Sequence, residues 1–277
     1  MFDLGSGVCT GLWAVQDTFG KVSEAFLVDP SKHMNDLARL ILGGGDGFQI
    51  PAGISFRLHT PSSVDLQYDL VLCSNTLLEL PTAEERLTSI HNLWARVGEE
   101  GYLVLVETGT NAGFHVIAEA RDYLNQLSLM SQDDDALHVG HAVAPCPHDS
   151  ACPRHAHDTI PCNFPIRYRN FEFRQLKPDL VQTELISYLV FKKSGREGGS
   201  LPRLVENPVR AKSCTYCRLC TSMGTLQEVL VRKKDDDDLF QLSKRMKCGD
   251  ELPVNLKEWV DKPNIGTPWM KRKQTQN

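Results

Sequence analysis

Met1-Phe2-Asp3-Leu4-Gly5-Ser6-Gly7-Val8-Cys9-Thr10-Gly11 reads as the end of a β-strand that runs through a phosphate-type turn into a helix. Glycine lets the backbone turn sharply and approach a cofactor closely. A second apolar run, Ala25-Phe26-Leu27-Val28, ends in Asp29, an acid placed about twenty residues on, as a ribose-binding carboxylate would be. The six-residue Gly-x-Gly-x-x-Gly fingerprint of dinucleotide loops is absent, so the spacing fits S-adenosylmethionine better. The cofactor candidates are therefore Asp3, Gly5, Ser6, Gly7 and Asp29. Cys9 stands where such loops often carry a third glycine, and its side chain is expected to narrow the pocket. The competing reading is a relic loop that binds nothing. A first strand normally has residues before it, so a segment upstream of Met1 is expected, and the lack of a targeting peptide says nothing about compartment.

Outward from the turn, strands and helices alternate. Ser31 caps a helix with apolar positions at Met34, Leu37, Ala38 and Ile41, which Gly43-Gly44-Gly45 ends. Ile54–Leu58 and Tyr68–Cys73 read as strands, Thr82–Val97 as an amphipathic helix that a Pro81-Thr82 start signal opens, Gly101–Glu107 as a strand and Thr110–Asn125 as the helix after it. Near-continuous apolar strands between helices predict a parallel sheet covered on both faces. Leu185–Phe191 is a late strand that would close the sheet edge, Ser194–Ser200 a Gly-rich linker, and Asp235–Asp238 an exposed acidic loop.

A chain of 277 residues with 41% hydrophobic content holds one full α/β core and a smaller appendage. The net charge of −5 excludes a wholly basic nucleic-acid binder, but the charge is uneven. Residues 207–277 carry 14 Lys+Arg against 9 Asp+Glu, which leaves 16 against 26 for the rest. A basic tail behind an acidic body reads as a phosphate-contacting arm or as a solvated face. No apolar run reaches transmembrane length, so no membrane partner is expected.

Nine cysteines in a cofactor-type fold point to metal binding rather than secreted disulfides. Cys146, Cys152 and Cys162 share one Pro- and His-rich stretch, and Cys214, Cys217 and Cys220 follow some fifty residues later. Cys146-Pro147 and Cys152-Pro153 place proline directly after the thiol, which stiffens the loop and removes a backbone N–H. Thiolates at irregular spacing on stiff loops suit an iron–sulfur cluster, or failing that a zinc ion. The catalytic half is thinner. Cys73-Ser74-Asn75-Thr76 lacks the Asn/Asp-Pro-Pro-Tyr/Phe tetrad of many amino-methylating enzymes, and no Pro-Cys nucleophile is present. Asn75 and Glu79 are in reach of a substrate, although a polar residue at a strand end is more often a helix cap, and no methyl-transfer base can be named.

Asp3-Leu4-Gly5-Ser6-Gly7, Val28-Asp29-Pro30-Ser31, Leu78-Glu79-Leu80-Pro81, Val106-Glu107-Thr108-Gly109-Thr110 with Gly113, Ala144-Pro145-Cys146-Pro147-His148, Leu219-Cys220 and Gly249-Asp250-Glu251-Leu252-Pro253 occur in order. This series resembles the methyltransferase-like protein 17 family of mitochondrial small-ribosomal-subunit assembly factors, over Asp3 to about Val254. The resemblance implies a Rossmann-like class I methyltransferase fold, a 4Fe–4S cluster, small-subunit rRNA and mitoribosomal small-subunit proteins or assembly factors as partners, and a place in the mitochondrial matrix. It assigns the cluster to Cys146, Cys152, Cys162 and Cys220, with Cys217 a substitute and Cys214 a weaker one. The long gap from Cys152 to Cys162 departs from the family pattern and admits His155 or His157 as a ligand. Cys248, where the family tends to carry tryptophan, reads as structural.

The expected organisation is a methyltransferase-like α/β domain over 1–193, with a cysteine-rich insertion near 144–165, and a C-terminal extension over 201–277. The extension supplies one cluster cysteine and the cations Arg210, Lys212, Arg218, Arg232, Lys233 and Lys234. Two functions stand: an assembly factor whose body is an rRNA-binding scaffold stapled by the cluster, and an active S-adenosylmethionine-dependent rRNA methyltransferase that carries a structural metal, iron–sulfur or zinc.

Overall fold

The computed structural model describes residues 1–45, 49–64, 66–130, 139–157, 160–169 and 181–254. The opening stretch forms β1 (Phe2–Leu4), α1 (Thr10–Phe19) and β2 (Ala25–Val28). The Ser31 side chain accepts the Met34 N–H to start α2 (Lys32–Leu42), and the Gly44 and Gly45 N–H groups reach back to the Ile41 and Leu40 carbonyls to end it. After β3 (Ile54–Arg57) and β4 (Tyr68–Ser74) comes one 3₁₀ turn, Leu77–Glu79. Thr82 then accepts the Glu85 N–H at 3.2 Å and opens α3 (Ala83–Ala95), the expected start signal. β5 (Val97–Thr108), α4 (Asn111–Met130), β6 (His141–Ala144), α5 (Pro153–His157), β7 (Phe164–Arg169) and β8 (Val181–Lys192) complete the body.

The large sheet has the order β3-β2-β1-β4-β5-β8-β6, with β7 also paired to β8. β3, β2, β1, β4 and β5 run parallel, and β8 is antiparallel to β5, β6 and β7. The first five strands follow the Rossmann order, with the switch point between β1 and β4. An antiparallel strand slotted in beside β5 makes this a mixed α/β sheet. β8 therefore does not close the sheet edge, as the sequence suggested. It lies inside the sheet, because β6 and β7, which carry weak strand signals, pair along its outer side.

One face of the sheet packs Phe2, Val71, Leu103, Leu105, Leu189 and Phe191 against Trp94 of α3 and Leu124 of α4. The other packs Leu27 and Phe56 against Leu12 of α1 and Ala38 of α2. The second contact differs from expectation: Met34, Leu37 and Ile41 stay more than two-fifths exposed, and Asn35 and Ala38 face inward. α2 lies over β2 and β3, the last strands on that side, so the sheet covers only the narrow strip that small side chains present.

Residues 203–254 build a second, four-stranded sheet from β9 (Arg203–Leu204), β10 (Val209–Arg210), β11 (Cys214–Cys220) and β12 (Leu226–Arg232), backed by α6 (Asp237–Arg245). Leu204, Cys217, Leu219, Val231, Phe240 and Leu252 form its own core. Lys257, Lys262, Lys271, Arg272 and Lys273 of the basic tail lie outside the described residues. The acidic run is a helix start rather than a loop. Asp236 accepts the Leu239 N–H at 2.8 Å, and Asp237 and Asp238 occupy the first turn of α6, where the helix dipole favours negative charge. Asp236→Ala should therefore lower the urea midpoint by the equivalent of about 1 kcal/mol. Asp235→Ala, outside the helix, should change it by less than half as much. Equal effects would return the run to a plain exposed loop.

Candidate functional site

The cofactor candidates meet at the C-terminal ends of β1 and β2, where ligands bind in open α/β sheets. The Gly5 and Ser6 N–H groups both bond the Val28 carbonyl, at 2.8 and 3.1 Å, and Gly5 and Gly7 take φ of 74° and 50°. A Cβ on Gly5 would strike the Thr76 side chain, whereas one on Gly7 would meet nothing within 4 Å, so the loop is close-packed on one side and open at Gly7. The Asp29 carboxylate is engaged within the loop itself: Oδ2 accepts the Gly7 N–H at 2.8 Å and Oδ1 the Ser31 N–H at 2.9 Å. A carboxylate has about four acceptor positions, so Asp29 keeps capacity for a diol while holding the turn shut. Ser6 Oγ is buried without a hydrogen-bond partner, an orphaned polar atom beside the open side. Asp3 is buried, and its burial, then the nearby Asp29 charge, raise its carboxyl to about 7. Cys9 does not narrow a pocket. It adopts φ 68°, is fully buried and packs into the core with Leu12 and Ala25.

The loop after β4 is held by a residue that the sequence placed in a motif without giving it a role. Glu107, 1% exposed at the end of β5, accepts the Leu77 N–H at 2.8 Å and the Leu78 N–H at 3.3 Å. Burial raises its carboxyl above the ordinary range, against the pull of these N–H groups. Asn75 is exposed at φ 51°, and Thr76 turns its hydroxyl to the Ser74 and Leu4 carbonyls.

Cys146, Cys152, Cys162 and Cys220 line one small cavity between the body and the second sheet, walled by Pro145, Pro153, Phe164, Val205 and Leu226. Each lies at the edge of a regular element: Cys146 follows β6, Cys152 precedes α5, Cys162 precedes β7 and Cys220 ends β11. All nine cysteines are free thiols. Among the described residues, no group of three or more His, Cys, Asp or Glu is placed to hold a metal ion. Burial pushes the Cys146, Cys162 and Cys220 thiols up, and the neighbouring cysteines raise them further.

Two buried guanidinium groups lie near these thiols and would offset the charge of any that ionise. Arg121 of α4 donates to the His148 and Ser150 carbonyls and to His148 Nδ1 at 3.3 Å, while its Nε is buried without a partner. Arginine has no acceptor, so His148 Nδ1 must accept and its proton must sit on Nε2. That N–H faces Cys220 Sγ at 3.3 Å. Burial, then the Arg121 charge, lowers the His148 pKa to about 4, so the ring is neutral at pH 7. Arg154 of α5 pairs with Glu206 at 2.8 Å, as does Arg218 of β11, which ties the cysteine-rich loop to the second sheet without any metal. The donor set, soft thiols beside buried cations and an orphaned Arg121 Nε, suits an anionic thiolate-bound group.

The other candidates part company here. On β11, Cys217 alternates to the face opposite Cys220 and is buried in the core of the small sheet, so it cannot substitute. His155 points to His115, 3.1 Å away, and the side chain of His157 lies outside the described residues. Cys248 Sγ faces the Asn163 carbonyl at 3.8 Å. Of the predicted cations, Arg218 is committed to Glu206 and Arg232 lies 4.0 Å from Asp235.

The family model described as mitochondrial small ribosomal subunit Rsm22 matches residues 1–253. The chain is 31% identical over 261 residues to the human mitochondrial ribosome assembly protein METTL17, covering 92% of this chain and 55% of that protein. It is 26% identical to the mitochondrial Rsm22-cox11 tandem protein 2 of Schizosaccharomyces pombe, covering 71% of this chain and 30% of the other. It thus spans about half the length of the human relative and less of the yeast one. Among solved structures, magnesium protoporphyrin IX methyltransferase of Synechocystis PCC 6803 aligns with TM-score 0.42 at 16% identity, over 70% of this chain and 69% of that one. A structure from Thermoplasma acidophilum gives 0.41 at 11%, over 70% of this chain and 67% of that one.

Asp3 and His148 each give an expectation. A carboxyl whose folded pKa lies above its unfolded value stabilises the fold when protonated. That contribution is complete below about pH 4 and is lost as pH rises through about 7. Asp3→Asn should therefore be more stable than wild type at pH 8, by up to about 4 kcal/mol, and equal to it near pH 4. A gap that widens toward acid would overturn the assignment. His148→Ala, which leaves Arg121 and Cys220 each short of a partner, should lower unfolding stability by about 1–3 kcal/mol in urea titrations.

Proposed function

This chain belongs to the mitochondrial small ribosomal subunit Rsm22 family, and we propose that it is a small-subunit assembly factor of the mitochondrial matrix. In this reading its methyltransferase-like body is a scaffold for small-subunit rRNA and for mitoribosomal small-subunit proteins or assembly factors. The body over 1–193 and the extension over 201–277 are two units that a 4Fe–4S cluster staples together through Cys146, Cys152, Cys162 and Cys220. The observation that carries this reading is the arrival of four cysteines from both units in one small cavity near Arg121. Zinc is the alternative occupant, on the same four thiolates at about 2.3 Å from the ion. Such a group would supply folding stability, as structural metal sites do, by linking segments distant in the chain.

The second reading is an S-adenosylmethionine-dependent rRNA methyltransferase with a structural metal. The orphaned Ser6 hydroxyl beside the open side of Gly7 favours cofactor binding. Against catalysis, the loop after β4 that would face a target base is closed onto Glu107 and offers no identifiable base.

Anaerobically purified protein should contain about four irons and four sulfides per chain. Cys220→Ser should lose most of that iron together with co-sedimentation with small subunits, whereas Asp29→Ala should leave association intact. Zinc in place of iron would overturn the cluster. Association that needs Asp29 and survives loss of the cluster, with methyl transfer to rRNA, would favour the enzyme.

A further inference from the structure

A cleft of about 790 Å³ beside the extension is separate from the cysteine site. One wall is the β7–β8 pair of the body, with Arg167 and Thr183, directly opposite each other in the ladder, on the same face. The other wall belongs to the extension and brings Asn207, Arg210, Lys247 and Asp250. Arg167, Arg210 and Lys247 are all exposed, and none makes an ion pair among the described residues. This sets them apart from Arg154, Arg203 and Arg218 nearby, each committed to a carboxylate. The one carboxylate in the cleft, Asp250, accepts the Lys247 backbone N–H at 2.7 Å. Asn207 accepts the Cys248 N–H at 2.9 Å, which holds the far wall in place.

We propose that this cleft binds the phosphate backbone of RNA. The proposal rests on the assembly-factor reading for its partner and adds the place and chemistry of contact. Three unpaired cations converging from two units form a site for spaced negative charges rather than a solvated face. Among the described residues no aromatic ring lines the cleft, and contact with phosphates is independent of sequence. Both walls lead back to the cysteine cavity. Cys162 lies just before β7, which carries Arg167, and β11, which ends in Cys220, pairs with β10, which carries Arg210. Fixing those cysteines against each other sets the width of the cleft and lowers the ordering cost of binding.

The test uses the full chain and a fluorescent RNA duplex of arbitrary sequence, with affinity read by anisotropy from 50 to 200 mM KCl. Arg167→Ala with Lys247→Ala should weaken binding about tenfold or more at low salt and flatten the salt slope by about two ions. Lys233→Ala with Lys234→Ala, on the exposed turn after β12, should change binding less than twofold, and a second, unrelated sequence should bind equally. Iron is measured on every preparation. Cleft variants that keep wild-type iron but lose RNA support the site. RNA binding that depends on the cleft in iron-free protein would uphold the site while removing the cluster. Equal losses from the two lysine pairs, an unchanged cleft variant, or an acidic peptide that displaces RNA from the cleft more tightly than a second RNA does would each overturn the proposal.

Discussion

β8 hydrogen-bonds three strands at once, and the placement of nearly every group discussed above depends on that ladder. Along one side it pairs with β5 from Thr108↔Ile186 to Tyr102↔Lys192. On its other side the C-terminal half takes β6 and the N-terminal half takes β7. Cys146 emerges from the end of β6 and Cys162 leads into the start of β7, so one strand's register brings two distant thiols to the same level of the sheet. A shift of one residue in β8 would turn Leu189 and Phe191 out of the core, so the hydrophobic pattern enforces the register that the cysteines need.

The second requirement is to keep charge stable where water is scarce. Arg121 and Arg154 are both almost fully buried, and neither is satisfied by a carboxylate alone. Arg121 is held chiefly by the carbonyls of the Cys-Pro-His loop, and Arg154 by Glu206 together with the Pro161 and Val205 carbonyls. A buried cation held by neutral acceptors remains costly, and nearby thiolates reduce that cost. The same cations favour the ionised thiols that a bound group requires. Contact between body and extension thus includes the Arg154–Glu206–Arg218 ion pairs, which need no metal.

Much of this was legible in the sequence. The Gly5–Gly7 turn, the Asp29 acid, the caps at Ser31 and Thr82 and the parallel strands all follow from local rules that do not depend on distant partners. β6, β7 and the small sheet were not legible, because short strands with mixed faces are specified by their pairing with β8 and β11 rather than by their own pattern. The distinction between Cys217 and Cys220 was available from strand alternation once β11 was known, but not before. Arg121 left no signal and Glu107 showed only as part of a motif, since a single charged residue in a helix or at a strand end reads as solvent-facing until burial is known. His148 was visible within the Cys-Pro-His segment, but its direction toward Cys220 was not.

The closed state of the nominal catalytic face follows from the same use of charge. Asp29 and Glu107, acids at the ends of β2 and β5, both spend acceptor positions on backbone N–H groups of adjoining turns. An acid used in this way makes its loop rigid and leaves less capacity for a ligand. In an enzyme that must open around a base, such anchoring would oppose loop movement, whereas in a scaffold it keeps a surface in one shape for a partner. The turn after β1 is anchored but still open at Gly7, and the loop after β4 is anchored on Glu107.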